Sequence, residues 1–170
     1  MFRKMRRFAQ QLPQEECERI LQTATSGVLA VIGDEGYPYA VPVSHVYRDG
    51  VIAFHCASVG HKIDALRACD KVSFCVVSQD EVMPKERTTA FVSVIAFGRA
   101  RLVDDEAQQR KVCRWIAEKF CPNDLEACQK ETDETVGTGR LLCVEIDVEQ
   151  ITGKAGRQEL KRRRAKAQGV

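Results

Sequence analysis

Residues 48–64 read RDGVIAFHCASVGHKID. Asp49-Gly50 is the two-residue signature of a tight hairpin turn. The run 51–57 reads as a strand, and Ser58-Val59-Gly60 turns it into a helix that opens with His61 and Lys62. A strand entered through a hairpin pairs antiparallel with the strand before it. The segment therefore points to an antiparallel sheet and away from a β-α-β crossover.

The flanking sequence extends that pattern. Residues 13–25 place Cys17, Ile20, Leu21 and Ala24 at helical spacing, with acids in the first turn. Residues 28–32 form a short apolar run and read as a buried strand. Residues 37–47 read as one strand with Tyr39, Val41, Val43, His45 and Tyr47 on one face. A short helix over 60–68 leads to a strand over 72–78, then a loop over 79–85. Residues 88–103 make a long β segment interrupted by Gly98, where a bulge or bend is expected. A helix from Asp104 to Phe120 buries Val112, Trp115, Ile116 and Phe120. Residues 122–134 are a second helix or an ordered loop, and 140–151 a last strand. Six strands in hairpins with helices at the edges predict a mainly β fold, a six-stranded antiparallel barrel.

Composition sets the frame. At 170 residues with 44% hydrophobic and 29% charged side chains, the chain can bury one core. We divide it into a basic N-terminal segment 1–12, a domain 13–153 and a basic tail 154–170. The net charge of +2 hides a tail of +6 and a body of −4. Arg3, Lys4, Arg6 and Arg7 make a second basic patch. Basic ends of this kind suit nucleic acid or an anionic surface, but no aromatic residues interleave the tail's charges. Neither nucleic acid nor membrane is expected as a partner. No stretch is long and apolar enough to span a bilayer, and the expected location is the cytoplasm. The eight cysteines include no C-x-x-C pair, which excludes a zinc ribbon or a thioredoxin motif.

Chemistry concentrates in four places. Ser58, Gly60, His61 and Lys62 form a candidate phosphate seat: unsatisfied N–H groups at a helix start, a glycine for close approach, and a cation. Pro42 interrupts the ladder of its strand beside Val43 and Ser44, leaving backbone open to a flat ligand or marking an edge strand. His45, His55 and His61 fall within seventeen residues without a metal-ligand spacing, so no metal is expected. His55 and Cys56 point to opposite faces of one strand, a poor arrangement for a nucleophile and its base. Ser93 stands among apolar residues of the 88–103 segment.

Taken in order, GVLAVIGDEGYPYAVPVSHVY, DGVIAFHCASVGHKIDALRACDKVSFCVV, TTAFVSVIAFGRARLVDD and VEIDVEQITGKAGR resemble the flavin-binding split-barrel family that includes pyridoxamine 5′-phosphate oxidase. They resemble most its 5-nitroimidazole-resistance (Nim) branch. The resemblance covers residues 13–157. It implies a six-stranded Greek-key split barrel of the FMN-binding type that forms a homodimer, with flavin at the interface. It implies that Lys62, Ser58 and His61 hold the flavin phosphate. Pro42, Val43, Ser44, His55, Cys56 and Ala57 would line the ring, and Ser93 would contribute from the barrel wall or from the partner subunit. FMN is the expected cofactor, with FAD as the variant. The implied activity is a flavin-dependent oxidoreductase acting on nitro-aromatic or other small acceptors, with His55 as candidate catalytic proton donor. The alternative is a non-enzymatic flavin- or haem-binding protein on the same barrel, with His45, His55 or His61 as axial ligand. The extra basic residues that pyridoxamine phosphate oxidases use for their substrate's phosphate are not found, so vitamin B6 oxidation is not expected.

Overall fold

The computed structural model describes residues 2–168. Helix α1 (Gln14–Thr23) is followed by strands β1 (Ser26–Ile32), β2 (Pro38–Ser44), β3 (Val46–Arg48) and β4 (Val51–Ala57). Then come α2 (His61–Ala68), β5 (Lys71–Met83), β6 (Thr88–Val103), α3 (Glu106–Phe120), α4 (Leu125–Thr135), β7 (Leu141–Ala155) and α5 (Arg157–Ala167). All seven strands join one sheet in the order β2-β1-β5-β6-β7-β4-β3. Every pairing is antiparallel.

The expected six-stranded closed barrel is corrected in two respects. There are seven strands, and the sheet is open, with β2 and β3 as its edges. Both differences come from His45, which splits the expected 37–47 strand. Its ring is fully buried, Nε2 lies 3.0 Å from the Leu21 carbonyl, and the ring meets Phe74 edge-on at 4.8 Å. Its backbone carbonyl accepts a hydrogen bond from Lys119 Nζ at 2.8 Å. With side chain and carbonyl both committed elsewhere, residue 45 leaves the ladder. The chain then steps from one edge strand to the other, which keeps the mainly β architecture consistent with a split barrel.

The curled sheet packs its inner face into one core. Leu29, Val31, Ile52, Phe54, Phe74, Val94, Val144 and Ile146 meet there, with Ile20 and Leu21 of α1. A second, smaller cluster lies outside the sheet, where α3 covers Val46, Ala53 and Cys143 through Val112 and Cys113. Asp105 caps α3 by accepting from the Gln108 N–H at 2.8 Å. The Asp49-Gly50 turn has φ of 51° and 82°, the paired positive values that such a hairpin requires.

The expected bulge at Gly98 is present as a register shift between Phe97 and Gly98. A Cβ on Gly98 would lie 2.3 Å from the Asp147 carbonyl oxygen, so only glycine permits this approach of β6 to β7. Of the loop expected over 79–85, residues 79–83 are instead the far end of β5, carried past a second shift between Val77 and Gln79, and only 84 and 85 fall in a turn. Of the segment set apart as a basic tail, Lys154 and Ala155 end β7 and 157–167 form α5. α5 is fastened by Arg162 to Glu81 at 2.5 and 2.8 Å and by Arg163 to Glu16 at 2.6 Å. No helix among the described residues is long and apolar enough to cross a membrane.

Candidate functional site

The start of α2 is built as the sequence reading expects. Gly60, at φ 123°, turns the chain out of β4 into the helix, and its carbonyl accepts from the Ile63 and Asp64 N–H groups at 2.8 and 3.1 Å. The N–H groups of His61 and Lys62 have no acceptor among the described residues. Lys62 is half-buried and reaches back over β4, its Nζ 5.7 Å from the centre of the Phe54 ring. It forms no ion pair among the described residues. It acts on Cys56: burial pushes that thiol's pKa up, and the lysine opposes the rise. A half-buried ammonium and two open amides at one helix start, with no ion pair to the lysine, are groups that could hold an anion.

The other expected members divide. Ser58 is held by the chain itself, its hydroxyl donating to the Gly139 carbonyl at 2.5 Å and its N–H to the Arg140 carbonyl at 3.2 Å. His61 turns toward the end of β1. It stacks on Tyr39 at 4.2 Å and 13°, and its Nε2 lies 3.4 Å from the Asp34 N–H nitrogen. Val43 and Cys56 pack against the interior cluster. Pro42, Ser44 and Ser93 share the outer face of the sheet. Pro42 lies in register with Val28, Ser44 with Ser26, and Ser93 with Val77. That face exposes Val28, Val77, Ile95 and Phe97, and a groove of about 610 Å³ crosses it between Ile32 and Phe97.

His55 and Ala57 face outward on the opposite side of β4 from Cys56. His55 opens into a separate cavity of about 190 Å³ between α3 and α4. Burial lowers its pKa, with Glu131 opposing, so the imidazole is neutral at pH 7. Cys113, Cys121, Cys128 and Thr132 share the cavity wall. Cys113 Sγ lies 4.0 Å from Cys143 Sγ. The hydrogen bond between them lowers the Cys113 pKa and raises that of Cys143. Sequence reasoning did not find this cavity, because its thiols come from separate elements and share no spacing. Among the described residues, no group of three or more His, Cys, Asp or Glu side chains could hold a metal ion. His45 is sealed in the core, and burial drives its pKa down to about 4.

Residues 13–155 match the family model described as pyridoxamine 5′-phosphate oxidase. The chain belongs to that family. No curated protein matches it. Among solved structures, the family fold recurs in a candidate 5-nitroimidazole antibiotic resistance protein from Bacteroides thetaiotaomicron VPI-5482. That protein is 18% identical over 85% of this chain and 86% of that one, with a TM-score of 0.69. The flavocytochrome Anf3 from Azotobacter vinelandii is 19% identical over 90% of this chain and 72% of its own, with a TM-score of 0.74. The FAD and haem binding protein from Mycobacterium smegmatis is 18% identical over 87% and 74%, with a TM-score of 0.70. At such identities the pyridoxamine 5′-phosphate oxidase family relation carries the fold.

Proposed function

We propose that the protein is a homodimeric flavin-dependent oxidoreductase, with FMN as its cofactor and small acceptors, nitro-aromatic compounds among them, as its substrates. The observation that carries this reading is the uncompensated Lys62 ammonium beside the open His61 and Lys62 amides. Those groups fit a phosphate, and membership in a family described by an oxidase makes a flavin phosphate the first choice. The named ligands of the flavocytochrome and of the FAD and haem binding protein support the same choice.

A bound flavin would supply the electron transfer, and the protein would supply binding and electrostatics. Lys62 and the α2 amides would hold the phosphate. Ser58 would fix the turn that aims them, through its bond to Gly139. β2 is an edge strand, so alternate backbone groups around Val43 and Ser44 face away from β1 and are open to a flat ring. The exposed sheet face around Val28, Ile95 and Phe97 would receive a second copy of the chain, bringing Pro42, Ser44 and Ser93 to the boundary. His55 would act on a substrate entering between α3 and α4. Neutral at pH 7, it would work as a base or hydrogen-bond donor and not as a charged acid.

The test is the spectrum of the purified protein. A flavin band, or saturable binding of added FMN, is expected. A colourless protein that binds neither FMN nor FAD would refute the proposal. A non-enzymatic haem-binding reading is favoured by one observation: His55 makes no hydrogen bond among the described residues, while His45 and His61 each have one through Nε2. That reading predicts a sharp Soret band that His55→Ala removes.

A further inference from the structure

The two basic ends of the chain meet. Arg6 and Arg7 precede a short 3-10 turn (Phe8–Gln10), and α5 lies across from them. Between the two is a cavity of about 330 Å³. Its rim carries Arg6, Arg7, Arg157, Lys161 and Arg164, with no acidic side chain in the lining. The α5 cations follow i, i+4, i+7 spacing and so share one helix face. None of the five takes part in an ion pair among the described residues. The same helix pairs its other arginines, Arg162 and Arg163, with Glu81, Glu16 and Glu159. α5 thus separates cations used to fasten it from cations left for something else.

The rest of the lining is of a different kind. Phe8 is 79% exposed, an unusual placement for an aromatic ring, and Ala9 and Leu160 lie beside it. Gln10 also lines the cavity. It is only 6% exposed, and its Oε1 has no hydrogen-bond partner. Buried amide oxygens are normally satisfied. The set asks for a ligand with several negative charges for the rim and a flat ring for Phe8. The volume lies in the range of small-molecule sites.

We propose that this cavity binds a nucleoside polyphosphate, its phosphates among the five cations and its base on Phe8. The site is separate from Lys62, and the proposal stands whether or not flavin is bound there. Oligonucleotides share the charge but not the compactness of the cavity, and free polyphosphate lacks the ring.

Calorimetric titration of the full-length protein with ATP in magnesium-free buffer tests the proposal, with tripolyphosphate and a short polyuridylate as parallel probes. ATP is expected to bind saturably, one per chain, and more tightly than tripolyphosphate. Phe8→Ala should weaken ATP about fivefold or more and leave tripolyphosphate unchanged, since base stacking on an aromatic ring is what it removes. The combined variant Arg157→Gln, Lys161→Gln, Arg164→Gln should weaken both at least about tenfold. Lys166→Gln, which removes an α5 cation outside the cavity lining, should leave both nearly unchanged. Phe8→Ala removes only an exposed ring, so its result decides even if the combined variant fails to fold. The proposal is overturned if ATP shows no saturable binding, or if polyuridylate binds and ATP does not displace it. It is also overturned if Phe8→Ala weakens ATP and tripolyphosphate alike, or if Lys166→Gln weakens ATP as much as the combined variant does.

Discussion

Lys62 and His45 show how much one side chain's surroundings decide. Lys62 is a half-buried cation that forms no ion pair among the described residues. Removing it should leave the fold alone and damage only the binding of an anion. Lys62→Gln is expected to weaken FMN binding about 10- to 100-fold, since hydrogen bonds to charged groups are worth about 1.5–3 kcal/mol. The flavin-free protein should lose less than about 1 kcal/mol, the scale of its contact with the Phe54 ring. Fluorescence titration and thermal melts measure the two, and an unchanged FMN affinity would rule Lys62 out as a ligand. His45 is the reverse case, a polar group whose work is structural. Its pKa falls from an ordinary value near 6.5 to about 4, first through burial and then through Lys119. Between those values the unfolded chain binds the proton and the folded protein does not. The contribution is therefore complete above pH 6.5 and is lost as the pH falls toward 4. The loss over that window is at most about 3 kcal/mol. His45→Gln keeps a donor for the Leu21 carbonyl and should flatten the slope in urea melts at pH 4 to 7. An equally steep slope in the variant would assign it to other groups.

Among the elements, β6 and α5 make different demands on their partners. The Gly98 bulge brings β6 so close to β7 that an added methyl group meets the Asp147 carbonyl. Backbone cannot move aside as a side-chain end can, so Gly98→Ala is expected to cost about 1–3 kcal/mol in chemical denaturation. A cost near zero would mean that the bulge slides. The bulge was legible in the sequence, because a lone glycine inside a long β pattern has few other uses. The break at His45 was not: residues 37–47 alternate as one strand should, and only α1 and Lys119 pull residue 45 out of the ladder. The extension of β5 past residue 78 was hidden for a related reason, since its outer half is polar and supported by β6 alone. α5 falls in the stretch that reads as a basic tail, and a count of charges does not reveal partners as distant as Glu16 and Glu81. Glu81→Gln removes the paired contact with Arg162. Faster amide hydrogen exchange along α5, with exchange in β6 and β7 unchanged, is the expected result. Uniform acceleration would mean that α5 unfolds only with the whole domain. At the candidate site, the helix start with its open amides could be read from Gly60-His61-Lys62. The outward turn of His61 to Tyr39 could not, since it depends on where the β1–β2 turn falls.

At the scale of the whole molecule, the outer sheet face is the feature left unexplained by a single chain. Registers across β2, β1, β5 and β6 align Pro42, Val28, Cys75 and Ile95 in one row, and Ala40, Ala30, Ser73 and Phe97 in the next. These rows are apolar or small, and Val28, Ile95 and Phe97 are each between 38% and 39% exposed. A contiguous apolar face of this kind on a folded chain marks an interface more often than a free surface. A second copy laid across it would bury both sets of rows at once, as a two-fold interface requires. Ser44 and Ser93 lie on the same face, so dimer formation and flavin binding should be linked. Ile95→Asp adds a charge at the centre of the face without touching the inner core, where Val94 and Ala96 point. We expect the protein to elute as a dimer in light-scattering chromatography and Ile95→Asp as a monomer, with FMN affinity reduced in the variant. The linkage gives a second check: FMN should raise the dimer fraction of diluted protein, because a ligand that binds only the dimer stabilises it by mass action. A monomeric native protein that binds FMN fully would separate the two properties, and the apolar rows would then need another partner.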